Sequence, residues 1–146
     1  MLRQIMQIAL AAAIIFAATY LKADPVDQSV MVLFEAEIIE GKSDDVSALL
    51  YRMVAFNQPD EPQTLVYRAF ISEDRQRLTF METYSNTDAM LFHDQRFTDT
   101  FADELFAMTR NPRLCVYGPV LDSYKQFAEE AGFTIEYSAL VAGFSR

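Results

Sequence analysis

The sequence predicts an α+β domain built on a split β-α-β antiparallel sheet, the ferredoxin-like arrangement. Three observations carry this. Short runs rich in β-branched and aromatic residues are bounded by turn residues, and the segments between them hold apolar residues at helical spacing. Their order is β-α-β-β-α-α-β, followed by an α-β tail. The second strand is apolar on both faces, which calls for a layer on each side of the sheet.

Residues 30–38, VMVLFEAEI, set Val30, Val32, Phe34, Ala36 and Ile38 on one face and Glu35 and Glu37 on the other. EGKSDD then turns the chain. Ser43 is placed to cap a helix over 44–57, with Asp44 and Asp45 in its first turn. Val46, Leu49, Leu50, Met53 and Val54 recur at helical spacing along it. Asn57 stands at its end, and Pro59 and Pro62 forbid continuation. TLVYRAFI (64–71) and RLTFMETY (77–84) flank a short polar turn and read as a hairpin. In the first of these, Leu65, Tyr67, Ala69 and Ile71 share one side, and Val66, Arg68 and Phe70 the other.

Ser85, with Asp88 three residues on, is close to a capping box for a helix over 87–94 carrying Ala89, Phe92 and His93. A break is expected near Gln95 and Arg96. Phe97, Phe101, Leu105 and Met108 then form an i, i+4 core stripe on the next helix, which RNP stops. RLCVYGPV (113–120) reads as a fourth strand. Asp122 or Ser123 caps a short helix, Gly132 occupies its C-terminal position, and FTIEYSALVA (133–142) reads as a fifth strand.

The chain has 146 residues, of which 51% are hydrophobic, with 12 Phe and 7 Tyr, enough to bury the core of one domain. Its net charge of -9 repels phosphate backbones and argues against nucleic acid. Cys115 is the only cysteine, so an intrachain disulfide and a multi-Cys metal site are both excluded. Its apolar surroundings predict a buried thiol. Residues 1–23 have Arg3 near the start and an apolar stretch over 5–21, the layout of a secretory signal. Seventeen residues span about 25 Å as a helix, short of a ~30 Å bilayer core. The segment is therefore expected to be a cleaved signal of a secreted or periplasmic protein, with a membrane anchor over 5–21 as the alternative. Residues 28–121 form the expected domain and 122–146 its helix-strand extension.

EPQTLVYRAFISEDRQRLTFMETYSNTDAMLFHDQRFTDTF resembles the antibiotic biosynthesis monooxygenase (ABM) domain family, including its quinol-monooxygenase-like members. The features are an acidic-Pro turn before the second strand, Glu82 and Tyr84 at a strand end, a polar cap, Ala89 four residues ahead of His93, and a Phe-rich helix. The resemblance covers roughly residues 30–120. It implies a homodimeric α+β barrel in which two sheets pack face to face, in agreement with the two-faced sheet. Some members oxidise phenolic or quinol substrates with O₂ and neither metal nor flavin. Others degrade haem with a Trp and a His ligand. This chain has no Trp and one His, which disfavours that branch.

The expected ligand is a small aromatic or quinone-type molecule, with no cofactor and no metal. His93 titrates near neutral pH and suits proton exchange with a phenol. The bland alternative is a His held in the core by one hydrogen bond. Glu82 shares its strand face with Leu78, Phe80 and Tyr84, where a carboxylate must be paired or raised in pKa. It is the candidate to orient His93 or a substrate hydroxyl, against a structural pairing with Arg68. Tyr67, Tyr84, Asn57 and Phe34 are the candidate substrate contacts, each with a core or helix-end role as the alternative. No GxGxxG, P-loop, HExxH or GxSxG motif is present. The rival functions are a non-catalytic binding or stress protein on the same fold, and an anchored accessory subunit whose tail binds a partner.

Overall fold

The computed structural model describes residues 27–144. The expected signal or anchor over 1–23 lies outside them. Among the described residues no helix is long and apolar enough to cross a membrane. The elements run β1 (Val30–Ile38), α1 (Ser43–Asn57), β2 (Thr64–Ile71), β3 (Arg77–Tyr84), α2 (Thr87–Thr100), α3 (Ala102–Met108), β4 (Thr109–Tyr117), α4 (Asp122–Glu130) and β5 (Ile135–Ser138).

The sheet order is β2-β3-β1-β4-β5. The first four strands pair antiparallel in the split β-α-β pattern. β5 joins the β4 edge in parallel, because α4 supplies the crossover that a parallel pair requires. The alternation seen in β1 sets its register. Val30, Val32, Ala36 and Ile38 are buried, and β1 lies between β3 and β4.

The helices fill one face of the sheet in two clusters. Leu49, Met53 and Leu105 from α1 and α3 pack on Leu78 and Phe80. Ala89 and Met90 of α2, with Tyr124 and Ala128 of α4, pack on Val30, Tyr84 and Val116. The opposite face keeps Met31, Phe70 and Met81 exposed at 51%, 47% and 52%. The register sets Leu33 between Met81 and Cys115, and Cys115 itself is buried.

Several boundaries differ from the sequence expectation, each for a local reason. Ser43 does not cap α1. It is the first helical residue, and its hydroxyl is buried without a partner. The cap of α2 is Asn86, whose side chain accepts from the Ala89 N–H at 2.9 Å, while Ser85 bonds Gln63 instead. The helix does not break at Gln95–Arg96, because Arg96 is tied sideways to Glu61 and to the Phe56 carbonyl. It breaks at Phe101, where φ is −125°.

RNP does not separate helix from strand. β4 starts at Thr109, and Asn111 and Pro112 sit opposite Ala36 in a bulge, with Asn111 in the left-handed region at φ 51°. The extra residue lets the ladder pass a proline that has no N–H to give. β4 also ends early, at Tyr117, because Gly118 turns the chain with φ 125°. β5 is four residues, shorter than the 133–142 expected.

Candidate functional site

Between the two helix clusters and the sheet lies a cavity of about 380 Å³, toward the small end of the roughly 300–1,000 Å³ range of small-molecule sites. Its walls are largely apolar, with Phe34, Phe80, Phe97 and Phe106 among them. Three ionisable side chains also line it: Glu82 from β3, and His93 and Asp94 from α2.

His93 is 3% exposed. Its ring lies between two tyrosines, 5.2 Å from the Tyr67 ring and 5.4 Å from the Tyr84 ring, centroid to centroid. Its Nδ1 is 2.8 Å from Glu61 Oε2. A carboxylate accepts, so Nδ1 carries the proton and Nε2 is the ring nitrogen that Glu61 does not engage. Glu61 is also buried, at the turn between α1 and β2. It accepts from Thr64 Oγ1 at 2.9 Å and from Arg96 Nε at 3.1 Å. Arg96 in turn donates to the Phe56 carbonyl and lies 4.2 Å over the Phe56 ring.

The electrostatics follow from this packing. Burial works to lower the His93 pKa. The bond to Glu61 and the charges of Glu82, Asp94 and Glu61 outweigh it and push the imidazole up to about 8. Burial works to raise the Glu61 pKa, and His93, Thr64 and Arg96 outweigh it, so this carboxyl stays below its ordinary value. Glu82 has less help. Burial pushes it up to about 7, against the charge of His93 and a 2.7 Å bond from the Tyr84 hydroxyl. Burial raises Asp94 too, opposed by His93 and by a 2.6 Å bond from the Tyr124 hydroxyl. Burial and the nearby Glu82 and Glu61 charges push the Tyr67 phenol up, so it stays neutral. Its hydroxyl is buried and makes no hydrogen bond of normal geometry, although Asn57 is close enough to act on it.

The structure thus brings His93, Glu82, Tyr67 and Phe34 to one cavity wall. Tyr84 does not line that cavity; it is wholly buried behind Glu82 and His93. Asn57 lines a second, polar cavity of about 240 Å³ on the far side of Tyr67, together with Gln58, Glu61 and Thr64. Arg68 is exposed on the opposite sheet face and does not pair with Glu82.

Besides Tyr84 and Asn57, which fall outside the His93 cavity, the partner of His93 differs from expectation. The bond at Nδ1 comes from Glu61, not Glu82. Glu61 and Asp94 are the residues that sequence reading missed. The signal for Glu61 was faint: an acid beside Pro62 in the turn that precedes the second strand. Among the described residues no group of three or more His, Cys, Asp and Glu is arranged to hold a metal ion.

No family model matches the chain, and no curated protein does. Solved structures do. MupZ from Pseudomonas fluorescens superposes with a TM-score of 0.70 at 21% identity, covering 82% of this chain and 95% of that one. A proposed antibiotic biosynthesis monooxygenase from Bacteroides thetaiotaomicron gives 0.55 at 19%, covering 60% and 85%. The chain has an ABM-like fold. SnoaB from Streptomyces nogalater, a cofactor-independent oxygenase, is similar at 0.54 and 14% identity, covering 63% of this chain and 93% of its own. At these identities the likeness is one of architecture. The ABM-like sheet is the frame that carries His93 and Glu82, and the assignment of chemistry rests on the cavity.

Proposed function

We propose that the protein is a cofactor-independent monooxygenase that oxidises a small phenolic or quinol-type aromatic with O₂, and that it works as a homodimer. The observation that carries this reading is His93: a histidine lining a largely apolar cavity, with Nδ1 held by Glu61. A phenol in that cavity meets an acid–base group at hydrogen-bonding reach and walls that exclude water.

The substrate hydroxyl gives its proton to Nε2. The imidazolium so formed is stabilised by Glu61 and faces the new phenolate. The electron-rich anion passes an electron to O₂, and recombination at a ring carbon forms a C–O bond to a hydroperoxide. The O–O bond then breaks. His93 returns its proton to the peroxide, and the ring C–H bond at that carbon breaks as the O–O bond does, so one oxygen stays as a ring carbonyl and the other leaves as water carrying both hydrogens. Hydroquinone plus O₂ gives hydroxyquinone plus water, and the substrate itself supplies every electron. Tyr67 and Phe34 supply aromatic contact beside the ring. Support for the dimer comes from Met31, Phe70 and Met81, which lie exposed on the sheet face that no helix covers.

The test is oxygen uptake by the wild-type protein, with chelator present, across one- and two-ring hydroquinones. The reading expects one oxygen molecule consumed per quinol and label from isotopic O₂ in the product. Uptake no faster than spontaneous oxidation, with hydroquinones still bound, would favour the binding-protein alternative.

A further inference from the structure

The cavity has a wall that the β-α-β-β-α-α-β core does not supply. Ala131, Gly132, Phe133 and Thr134 line it, all from the turn between α4 and β5. The SnoaB chain, covered to 93%, matches 63% of this one, so it has little length to set against this extension. Relative to SnoaB the extension is therefore an addition that reaches into the cavity, whereas MupZ, matching 82% of this chain, has length enough to share it.

Its placement is built from the sequence upward. α4 ends in three backbone bonds, from Ala131 to Phe127, Gly132 to Glu129, and Phe133 to Ala128 at 2.8 Å. Gly132 takes φ 77°, a left-handed conformation that only glycine adopts without strain, and this reverses the chain at Phe133. Phe133 then packs edge-on against Phe127, with ring centroids 6.2 Å apart. Two anchors hold the unit down. β5 pairs with β4 through Leu114↔Ile135, directly after the turn. The Tyr124 hydroxyl of α4 donates to Asp94 of α2, the residue next to His93. Phe133 is only partly buried by protein, so part of its ring faces the space that a ligand would fill.

We infer that the α4–β5 unit is the specificity element of this cavity: Phe133 limits the size of the ring system that reaches His93, and Tyr124 fixes the unit at that distance by holding Asp94. This deepens the proposed function, since it says which aromatic ligands the same site accepts. Larger fused-ring phenols meet the Phe133 side chain before smaller ones do.

Three phenols serve as probes, with O₂ excluded so that binding is read without turnover: phenol, 2-naphthol and 9-phenanthrol. Binding is read from the ring resonances of His93, the only histidine in the chain. The measured quantity is the ratio of Kd values for 9-phenanthrol and phenol. Phe133→Ala should shift that ratio about tenfold toward the larger phenol, the scale on which apolar pocket volume discriminates. Phe133→Trp should shift it the other way, which a mere loss of stability would not do. Leu121→Ala, an exposed residue outside the cavity wall, should leave it alone.

A ratio unchanged within about twofold in both Phe133 variants, a scale well inside ordinary pocket effects, would overturn the inference. So would a wild-type protein in which none of the three phenols moves the His93 resonances. The two readings fail separately. Phenol binding with size selection but no oxygen uptake defeats the oxygenase reading and keeps the wall. Turnover without size selection does the reverse.

Discussion

Replacing Glu61 with Gln removes one charge from the buried pair while keeping the shape of the side chain. Both partners are almost fully enclosed, at 4% and 2% side-chain exposure, and 2.8 Å apart. The magnitude comes from His93. Its pKa rises from 6.5 to about 8 in the fold, which is about 2 kcal/mol of preference for the imidazolium at ~1.4 kcal/mol per pH unit. The group's folded pKa is raised, so this stability is fully present below 6.5 and is lost as pH rises through about 8. In Glu61→Gln the leading upward influence on His93 is gone, and burial pulls its pKa back toward or below 6.5. The variant should therefore be less stable than wild type by about 3 kcal/mol near pH 6, this ~2 kcal/mol added to about 1 kcal/mol for an ordinary hydrogen bond. Near pH 9 wild-type His93 is already neutral, and the gap should shrink to about 1 kcal/mol, the worth of an ordinary hydrogen bond. Urea unfolding at the two pH values, with the histidine resonance of the untagged chain titrated in parallel, measures both. A gap equal at the two pH values would refute the reasoning, as would a wild-type His93 that titrates at or below 6.5.

Glu82→Gln should flatten the pH dependence of stability between about 4.5 and 7. The raised carboxyl favours the fold below its ordinary pKa and loses that contribution as pH rises through about 7; an unchanged slope in thermal melts across that window contradicts the burial argument. Gly118→Ala puts a Cβ 2.6 Å from the Ser29 carbonyl oxygen at φ 125°, and should cost roughly 2–4 kcal/mol by strain and displacement. A denaturation midpoint shifted by less than about 0.5 kcal/mol, the scale of an ordinary surface change, would remove Gly118 as a required turn. Met81→Lys places a charge on the exposed apolar sheet face. It should turn the proposed dimer into a monomer by light scattering while keeping the melting temperature of the folded unit, and a dimer that survives the charge would move the interface elsewhere.

The parts of the fold that sequence made legible are those governed by local period. β1 alternates cleanly, and its buried set is the one the spacing predicts, apart from Phe34, which turns to the cavity. The one-turn overrun of α2 past Arg96 was not legible, because an arginine in a helix carries no sign that it will reach sideways to Glu61 and Phe56. Pro112 inside β4 was misleading for the opposite reason: proline argues against a strand unless a bulge absorbs it, and the bulge depends on pairing with β1.

The site divided in the same way. His93 stood out by chemistry and rarity. Glu82 stood out as an acid among apolar neighbours. Glu61 showed only as the acid of an acidic-Pro turn, and its bond to His93 spans 32 residues, a contact created only when the α1–β2 turn is laid under α2. Asp94 carried no sequence signal, because it takes its place only when α4 packs against α2 and the Tyr124 hydroxyl reaches its carboxyl. The C-terminal extension, read as an appendage, supplies a wall of the cavity.

The central claim is that His93 is the proton-exchanging group of an oxygenation. The most direct measurement is kcat/KM for oxygen uptake by wild type and His93→Ala, per folded molecule and as a function of pH, on the hydroquinone that wild type consumes fastest. A base must be unprotonated to act, so wild-type kcat/KM should rise with pH and level off above about 8, where His93 loses its proton. His93→Ala should lose roughly 10²–10⁴-fold, the usual contribution of a positioned acid–base residue, and should lose that pH step with it. A variant that retains wild-type kcat/KM and the same pH profile would contradict the account.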